Sequence, residues 1–315
     1  MIELHLIDII SSKLSFPEYL GDDCAYLDDL GIYVTQDTLV EDVHFSMYTI
    51  NPYLLGRKAI SVNLSDLCAS LSKPKYVTVS ISLPKNITDD FVCELYRGIN
   101  DVCNEYKVKV IGGDITSSEK IVISVCAIGK KISLHNSSRK YAKKGDYVVV
   151  TGSFGASSIA LYAMKNFLYC SDELKQIHLN PTPRVVESER LANIIDSSIA
   201  VMDTSDGLVD ALYKIAQQSK HSIEIDIDKV PVLSDVIDFA NHNNLDYKEF
   251  VKWGGEDFEL VACVPQEIYE KLDSNIFHCI GFVQNKDNMP CVQINSERIT
   301  KDVFYNKSFN HFKEF

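Results

Sequence analysis

Hydrophobic and polar positions alternate along Tyr76–Pro84 (YVTVSISLP) and Ile121–Gly129 (IVISVCAIG). A period of two is the mark of strands with one covered face, and Ile32–Thr35 is a shorter case. Between these strands, Pro52–Leu71 and Thr88–Tyr106 carry apolar residues at helical spacing. Pro52 suits a helix N-terminus, and Thr88 followed by acids suits an N-cap and first turn. Residues 131–145 (KISLHNSSRKYAKKG) are polar, basic and without period, so a domain boundary is placed there, dividing the chain into 1–130 and 131–315. A second α/β series follows: strand Asp146–Thr151, turn Gly152–Gly155 and a helix. Strand Ile199–Met202, helix Gly207–Ser219 and strands Ile223–Ile227, Phe258–Pro265 and His278–Val283 complete it.

With 315 residues and 46% hydrophobic content, the chain can bury two cores. Its net charge of -13 and the lack of a Lys/Arg-rich run argue against nucleic-acid and anionic-membrane partners. No apolar run reaches membrane-spanning length. Met1–Ile10 carries Glu3 and Asp8 and no basic segment, unlike a signal peptide. The nine cysteines are scattered without C-x2-C spacing, which fits reduced, buried thiols in a cytoplasmic protein.

The acids carry the chemistry. Aspartates recur where apolar strands are expected to end in small-residue turns: Gly21-Asp22-Asp23, Thr35-Gln36-Asp37, Gly112-Gly113-Asp114 and Asp203-Thr204-Ser205-Asp206-Gly207. Asp66 lies inside the apolar helix. Converging carboxylates repel one another unless cations lie between them, and hard oxygen ligands suit Mg2+. An acidic protein can therefore hold a nucleotide through Mg2+. Blander readings stand beside this one: Gly-Asp-Asp as a plain turn, Ser205 or Asp206 as an N-cap, and Asp66 paired with Lys58 or Arg57. Gly152-Ser153-Phe154-Gly155 is either a phosphate cradle or a tight strand-to-helix turn. Walker, dinucleotide-binding and protein-kinase motifs are absent, and no covalent nucleophile has local motif support.

Taken in order, GDDCAYL (21–27), TQDTLVEDVHF (35–45), KAISVNLSDLCA (58–69), VIGGDIT (110–116), GDYVVVTGSFG (145–155), HLNPTPR (178–184), MDTSDGL (202–208) and GGEDFEL (254–260) resemble the thiamine-monophosphate kinase family. That family lies in the superfamily of aminoimidazole ribonucleotide synthetase, and the resemblance runs from about Glu3 to Phe312. It implies an α/β (α+β) two-domain synthetase-superfamily fold. The N-terminal domain, binding ATP and Mg2+, would form a barrel across a homodimer from a mixed sheet with helices on one side. The C-terminal domain would be an α/β sandwich, with ATP in the cleft between the two.

The implied reaction passes the ATP γ-phosphoryl group directly to thiamine monophosphate, the last step to thiamine diphosphate. No general base is needed, because the acceptor is an ionised phosphate oxygen. The resemblance places Asp23, Thr35, Gln36, Asp37, Asp66, Asp114, Asp203 and Asp206 on magnesium positions. It places Tyr106, Gly113, Asp114, Arg139 and Ser205 on ATP positions, and His44, Glu256 and Phe309 on thiamine-phosphate positions. Gln36 stands where the family has Thr or Ser, and Ser308 where it has Gly. Phe309 and Phe312 have a second reading, as pins of the C-terminal tail.

Two rivals share the superfamily. A selenophosphate synthetase would carry a reactive Cys before Gly21, where this chain has Lys13 and no Cys. A hydrogenase-maturation relative would end in a cysteine tail, whereas this chain ends Lys313-Glu314-Phe315. A catalytically silent nucleotide-binding protein would have no chemical need for the clustered acids.

Overall fold

Two sheets and one long buried helix organise the chain. The computed structural model describes residues 3–311, so Phe312 lies outside the described residues. Helix α1 (Glu3–Ser11) leads to β1 (Ala25–Leu27), β2 (Ile32–Val40), α2 (Pro52–Ala69), β3 (Ser72–Leu83), α3 (Asp89–Tyr106), β4 (Lys109–Ser117) and β5 (Val122–Lys131). These strands form a mixed sheet in the order β1-β2-β5-β3-β4, with only β3 and β4 parallel. Burial alternates along β3 and β5, as their sequence pattern predicts. The covered face packs under α2 and α3 around Val77, Val79, Ile123 and Val125.

The second sheet comprises β6 (Tyr147–Thr151), β7 (Ala200–Asp203), β8 (His221–Ile225), β9 (Leu260–Val264), β10 (Phe277–Lys286), β11 (Val292–Ile294) and β12 (Glu297–Arg298). Their order is β12-β11-β8-β10-β6-β9-β7. Both faces are covered, with Val148 and Val150 in one core and Val149 in the other. The helices are α4 (Ala156–Lys165), α5 (Asp172–Leu179), α6 (Val185–Ile194), α7 (Leu208–Ser219), α8 (Ser234–His242), α9 (Tyr247–Trp253), α10 (Gln266–Tyr269) and α11 (Lys301–Lys307).

Helix α2 joins the two halves. Asn51 caps it by accepting from the Leu54 N–H at 2.9 Å, and Pro52 opens it where no amide donor is missed. Leu55, Ile60, Leu64 and Leu67 pack into the first core, while Cys68 and Ala69 enter one face of the second sheet. Ser137 and Ser188 hydroxyls donate to the Ala69 and Cys68 carbonyls at 2.8 Å, fastening the helix C-terminus to the second domain. Thr88 caps α3 as its sequence predicts, accepting from the Phe91 N–H.

Two expectations need correction. Thr35-Gln36-Asp37 and Gly112-Gly113-Asp114 lie inside β2 and β4, not in turns at strand ends. Strand β2 outruns β1, and α2 closes part of the gap: the Asp37 N–H donates to the Asn63 side chain at 3.0 Å. Strand β4 has no alternation because it is an edge strand exposed along its whole length. It pairs closely because Gly113 has no side chain; a Cβ there would fall 1.9 Å from the Val79 carbonyl oxygen.

Because α2 is enclosed by both domains, truncating it is expected to destabilise the whole chain. Leu64→Ala should cost ~2–5 kcal/mol in urea unfolding, and Asn51→Ala about 1 kcal/mol. A loss below ~1 kcal/mol for Leu64→Ala would contradict this account of α2.

Candidate active site

Acids from three elements converge beside α2. One carboxylate oxygen each from Asp23, Asp66 and Asp203 lies within 4.8 Å of the others. Asp23 precedes β1, Asp66 is on α2, and Asp203 ends β7. The Thr35 hydroxyl donates to Asp66 Oδ2 at 2.6 Å, Ser65 donates to Asp203 Oδ2 at 2.6 Å, and Ser205 donates to Asp203 Oδ1 at 3.1 Å. Asp37 faces the same group, since side chains two apart on β2 share a face with Thr35.

Burial, reinforced by Asp206 and Asp23, pushes the Asp37 carboxyl up to about 6. Burial, with Asp23 and Asp37 nearby, pushes Asp203 up to about 7. Burial and then Asp37, Asp203 and Asp23 raise Asp66 well above the ordinary carboxylate range. The molecule thus tends to keep protons where it lacks cations. Hard oxygen donors this close, strained by their own charge, fit a divalent cation such as Mg2+.

The alternative readings of these acids fail on geometry. Lys58 pairs with Glu256 at 3.1 Å and Arg57 with Glu105 at 3.2 Å, so neither of those ion pairs involves Asp66. Neither Ser205 nor Asp206 caps α7; Gly207 holds that position without a side-chain cap. Asp206 instead accepts from Lys214 at 2.8 Å. Arg139 donates to Asp23 Oδ1 at 2.6 Å and to the Gly21 carbonyl at 3.0 Å, closing the segment around Asp22 onto the second domain. The phosphate-cradle reading of Gly152–Gly155 is overturned as well. The Asp257 carboxylate already accepts from the Gly155 and Ser157 N–H groups at 2.8 and 3.1 Å. Gly152–Gly155 is a tight strand-to-helix turn whose helix end is sealed from within.

A second constellation lies at the other end of α2. Glu256 Oε2 receives Lys58 Nζ at 3.1 Å and lies 3.2 Å from His178 Nδ1. Lys58 is only 1% exposed. Burial alone would raise the Glu256 carboxyl, but the Lys58 ammonium more than offsets it and keeps the group ionised. The Glu256 backbone is held in the left-handed region at φ 63°. Its neighbours explain how: Asp257 is committed to α4, and Phe258 inserts into the core of the first domain.

His44 caps its own loop by accepting from the Val40 N–H at 3.0 Å. Burial, then the nearby His311, lowers its pKa. The His44 and His311 rings are 5.0 Å apart, and Phe309 meets His311 edge-on at 4.7 Å. Phe309 is 41% exposed, so the tail folds back without burying it. Phe304 serves as the tail's anchor, stacked on Tyr213 at 3.8 Å.

The structure thus gathers Asp23, Thr35, Asp37, Asp66, Asp203, Ser205, Asp206 and Arg139 at one end, and His44, Glu256 and Phe309 at the other. It does not bring every expected residue in. Gln36 points to the opposite face of β2, where it donates to Ser124 at 3.1 Å. Gly113 and Asp114 lie on the exposed edge strand. Three strand spacings separate Gly113 from Asp37, roughly 14 Å. Tyr106 ends α3 and packs against the first core. Sequence reasoning missed Lys58 as the Glu256 partner, and missed His178 and Lys214. A lysine inside an apolar helix was a usable signal, equal in kind to Asp66.

Two family models cover the fold: AIR synthase related protein, N-terminal domain, over residues 21–130, and AIR synthase related protein, C-terminal domain, over residues 143–272. Two sheets hinged on a buried helix, with acids between them, therefore define an AIR-synthase-related protein. Thiamine-monophosphate kinase of Bacillus subtilis (strain 168) is 34% identical over 310 residues, 93% of each chain. The solved structure of AaThiL complexed with AMPPCP and TMP superposes with a TM-score of 0.89 at 31% identity, covering 99% of this chain and 97% of that one. Thiamine monophosphate kinase from Aquifex aeolicus gives 0.84 at 32% identity, covering 94% and 97%. The chain belongs to the thiamine-monophosphate kinase family.

The raised carboxyls set a pH dependence. Ordinary carboxyls in the unfolded chain titrate near 4. The metal-free folded protein therefore holds protons that the unfolded chain releases, and this stabilisation is lost as pH rises through about 6 for Asp37 and 7 for Asp203. In EDTA, the melting temperature should be lower at pH 8 than at pH 5.5, and Mg2+ should raise it more at pH 8. Asp66→Asn should raise the metal-free value by roughly 2–4 °C and shrink the Mg2+ increment. Equal Mg2+ increments at both pH values would refute the electrostatic account.

Proposed function

We propose that this chain transfers the γ-phosphoryl group of ATP to the phosphate of thiamine monophosphate, giving thiamine diphosphate and ADP, with Mg2+ held by its acidic cluster. The observation that carries the reading is the spacing of two unlike constellations along α2. Asp66 and Lys58 are eight positions apart, ~12 Å of helix. That length matches a substrate with a cationic heterocycle at one end and a phosphate at the other. Glu256, kept ionised, faces the cationic end, and Phe309 offers an aromatic face to its rings.

Asp23, Asp66 and Asp203, with the Thr35 hydroxyl, are the residues that would hold Mg2+, joined by Asp37 and Asp206. Bound Mg2+ supplies charge neutralisation that lets two polyanionic groups approach. The protein's own groups do the rest. Arg139 fastens the Asp23 segment across the domain cleft and adds positive charge beside it. Ser205 and Ser65 orient the Asp203 carboxylate. The two domains flank the acidic end, and the folded-back tail lies beside His44 at the other. No side chain is asked to remove a proton, because the accepting phosphate oxygen is already ionised near pH 7.

A homodimer is part of the proposal. Among the described residues, strand β4 ends its sheet with an exposed, unpaired edge, and Ile111 and Ile115 are 55% and 72% exposed on it. Such edges invite pairing with another strand. A barrel closed across two copies would cover that edge and give Gly113 and Asp114 a cleft to face. A cytoplasmic location is proposed too: all nine cysteines are unpaired, most of them buried, and no helix among the described residues is long and apolar enough to cross a membrane.

Purified protein with ATP, Mg2+ and thiamine monophosphate should produce thiamine diphosphate and ADP, and excess EDTA should stop it. Asp66→Asn should cut turnover by roughly a thousandfold or more while remaining folded. Phe309→Ala should raise KM for thiamine monophosphate about five- to thirtyfold, as expected for a lost ring contact of ~1–2 kcal/mol, and leave KM for ATP unchanged. An equal rise for both substrates, or for neither, would remove Phe309 from the site. ADP formation without thiamine monophosphate would point to another acceptor.

A further inference from the structure

Lys214 is the one residue of the acidic end whose charge is matched twice. Its Nζ lies 2.8 Å from Asp206 Oδ2 and 2.6 Å from Asp210 Oδ2. Asp210 sits in the first turn of α7, one helical turn below Lys214, and its side chain is 7% exposed. Asp206 precedes the helix and is more open, at 34%. The two contacts are therefore unequal in kind. Asp210 is a fixed, buried tether on the same helix, whereas Asp206 belongs to a loop at the rim of the cluster. The lysine's hydrogen bond goes to Asp206, whereas Asp210 Oδ2 accepts none and holds the ammonium by charge alone, an i, i+4 tether that remains if Asp206 is taken by another cation.

We infer that Lys214 is an exchangeable internal cation. In the metal-free protein it occupies Asp206, and when a divalent cation binds at Asp206 the ammonium is released from that carboxylate. Asp210 retains it, so its charge stays near Arg139, where it becomes a contact for the phosphates of the nucleotide. Charge balance is consistent with the exchange: one ammonium shared by Asp206 and Asp210 leaves one negative charge, a divalent cation then takes Asp206, and the ammonium left on Asp210 lies opposite an incoming polyanion. No bond is made or broken beyond ion pairs and hydrogen bonds. The inference rests on the metal-assisted reading above and assigns Lys214 a role in positioning and nucleotide binding.

The two halves of this role predict effects of opposite sign. Mg2+ titrations of the nucleotide-free protein by calorimetry would be paired with steady-state kinetics for wild type, Lys214→Met and Lys214→Arg. Removing the competitor from Asp206 should tighten Mg2+ binding by Lys214→Met about three- to tenfold. Removing the phosphate contact should raise KM for ATP about fivefold or more, with KM for thiamine monophosphate unchanged. Lys214→Arg should return both values towards wild type. A lysine that merely braces α7 would, when lost, weaken Mg2+ and ATP binding together, and that result would overturn the inference. So would unchanged Mg2+ affinity. If wild type itself bound no Mg2+, the metal-assisted reading would fall and this inference with it. Should Lys214→Met fail to fold, Lys214→Gln gives the same readouts with a polar side chain.

Discussion

Two unit charges of like sign 4.8 Å apart repel by roughly 3–4 kcal/mol at an effective dielectric constant of about 20. Asp23, Asp66 and Asp203 place three carboxylates within that separation at the junction of two domains. Repulsion of this size is comparable to a sizeable part of a domain's net stability. The surroundings are arranged to contain it. Helix α2 is anchored in both cores, hydroxyls from Thr35, Ser65 and Ser205 donate to the acids, and Arg139 and Lys214 draw off charge at the rim. Without the apolar packing that fixes α2, the acids would relax apart, and without their convergence α2 would have little reason to carry a carboxylate inside.

The opposite end of the helix solves a different problem. There a single carboxylate must stay charged in a buried setting, and it does so through a buried lysine, beside a neutral imidazole. Burial pushes the His178 pKa down to about 4, so near neutrality its ring is uncharged and bonded to the Ser157 hydroxyl, and Lys58 is the charge that keeps Glu256 ionised. The left-handed residues Glu256 and Phe258 flank Asp257, whose carboxyl is pushed up to about 7 mainly by burial, although two backbone amides oppose the shift. Three consecutive side chains thus point to three destinations: the site, the start of α4 and the first core.

Much of this was legible in the sequence because it depends on local pattern. Strands β3 and β5 alternate, and α2 and α3 carry their caps in plain view. The acids stood out because charge in apolar surroundings is costly. What stayed hidden depends on pairing across the chain. Strand β4 has no period because neither face is covered. Gln36 and Asp37 are adjacent in sequence but face opposite ways, a consequence of β2 continuing where a turn was expected. Lys58 needed Glu256, 198 residues away, to acquire a meaning. The Gly152–Gly155 turn looked open to phosphate because Asp257, its occupant, arrives from the distant loop between α9 and β9.

That sealed turn has a consequence for how the protein relates to its surroundings. Many nucleotide-binding folds recognise phosphate with helix N-termini, a donor set that is encoded in the polypeptide and always present. Here the chain spends that donor set on itself. On the proposed reading, recognition of anions at the cleft would rest on Arg139, Lys214 and divalent cations drawn from solution, whose supply the polypeptide does not control. On the proposed Mg2+-assisted reading, the occupancy of the cleft would be a readout of free divalent cation, an ionic gate that no mutation confined to the Gly152–Gly155 turn could bypass.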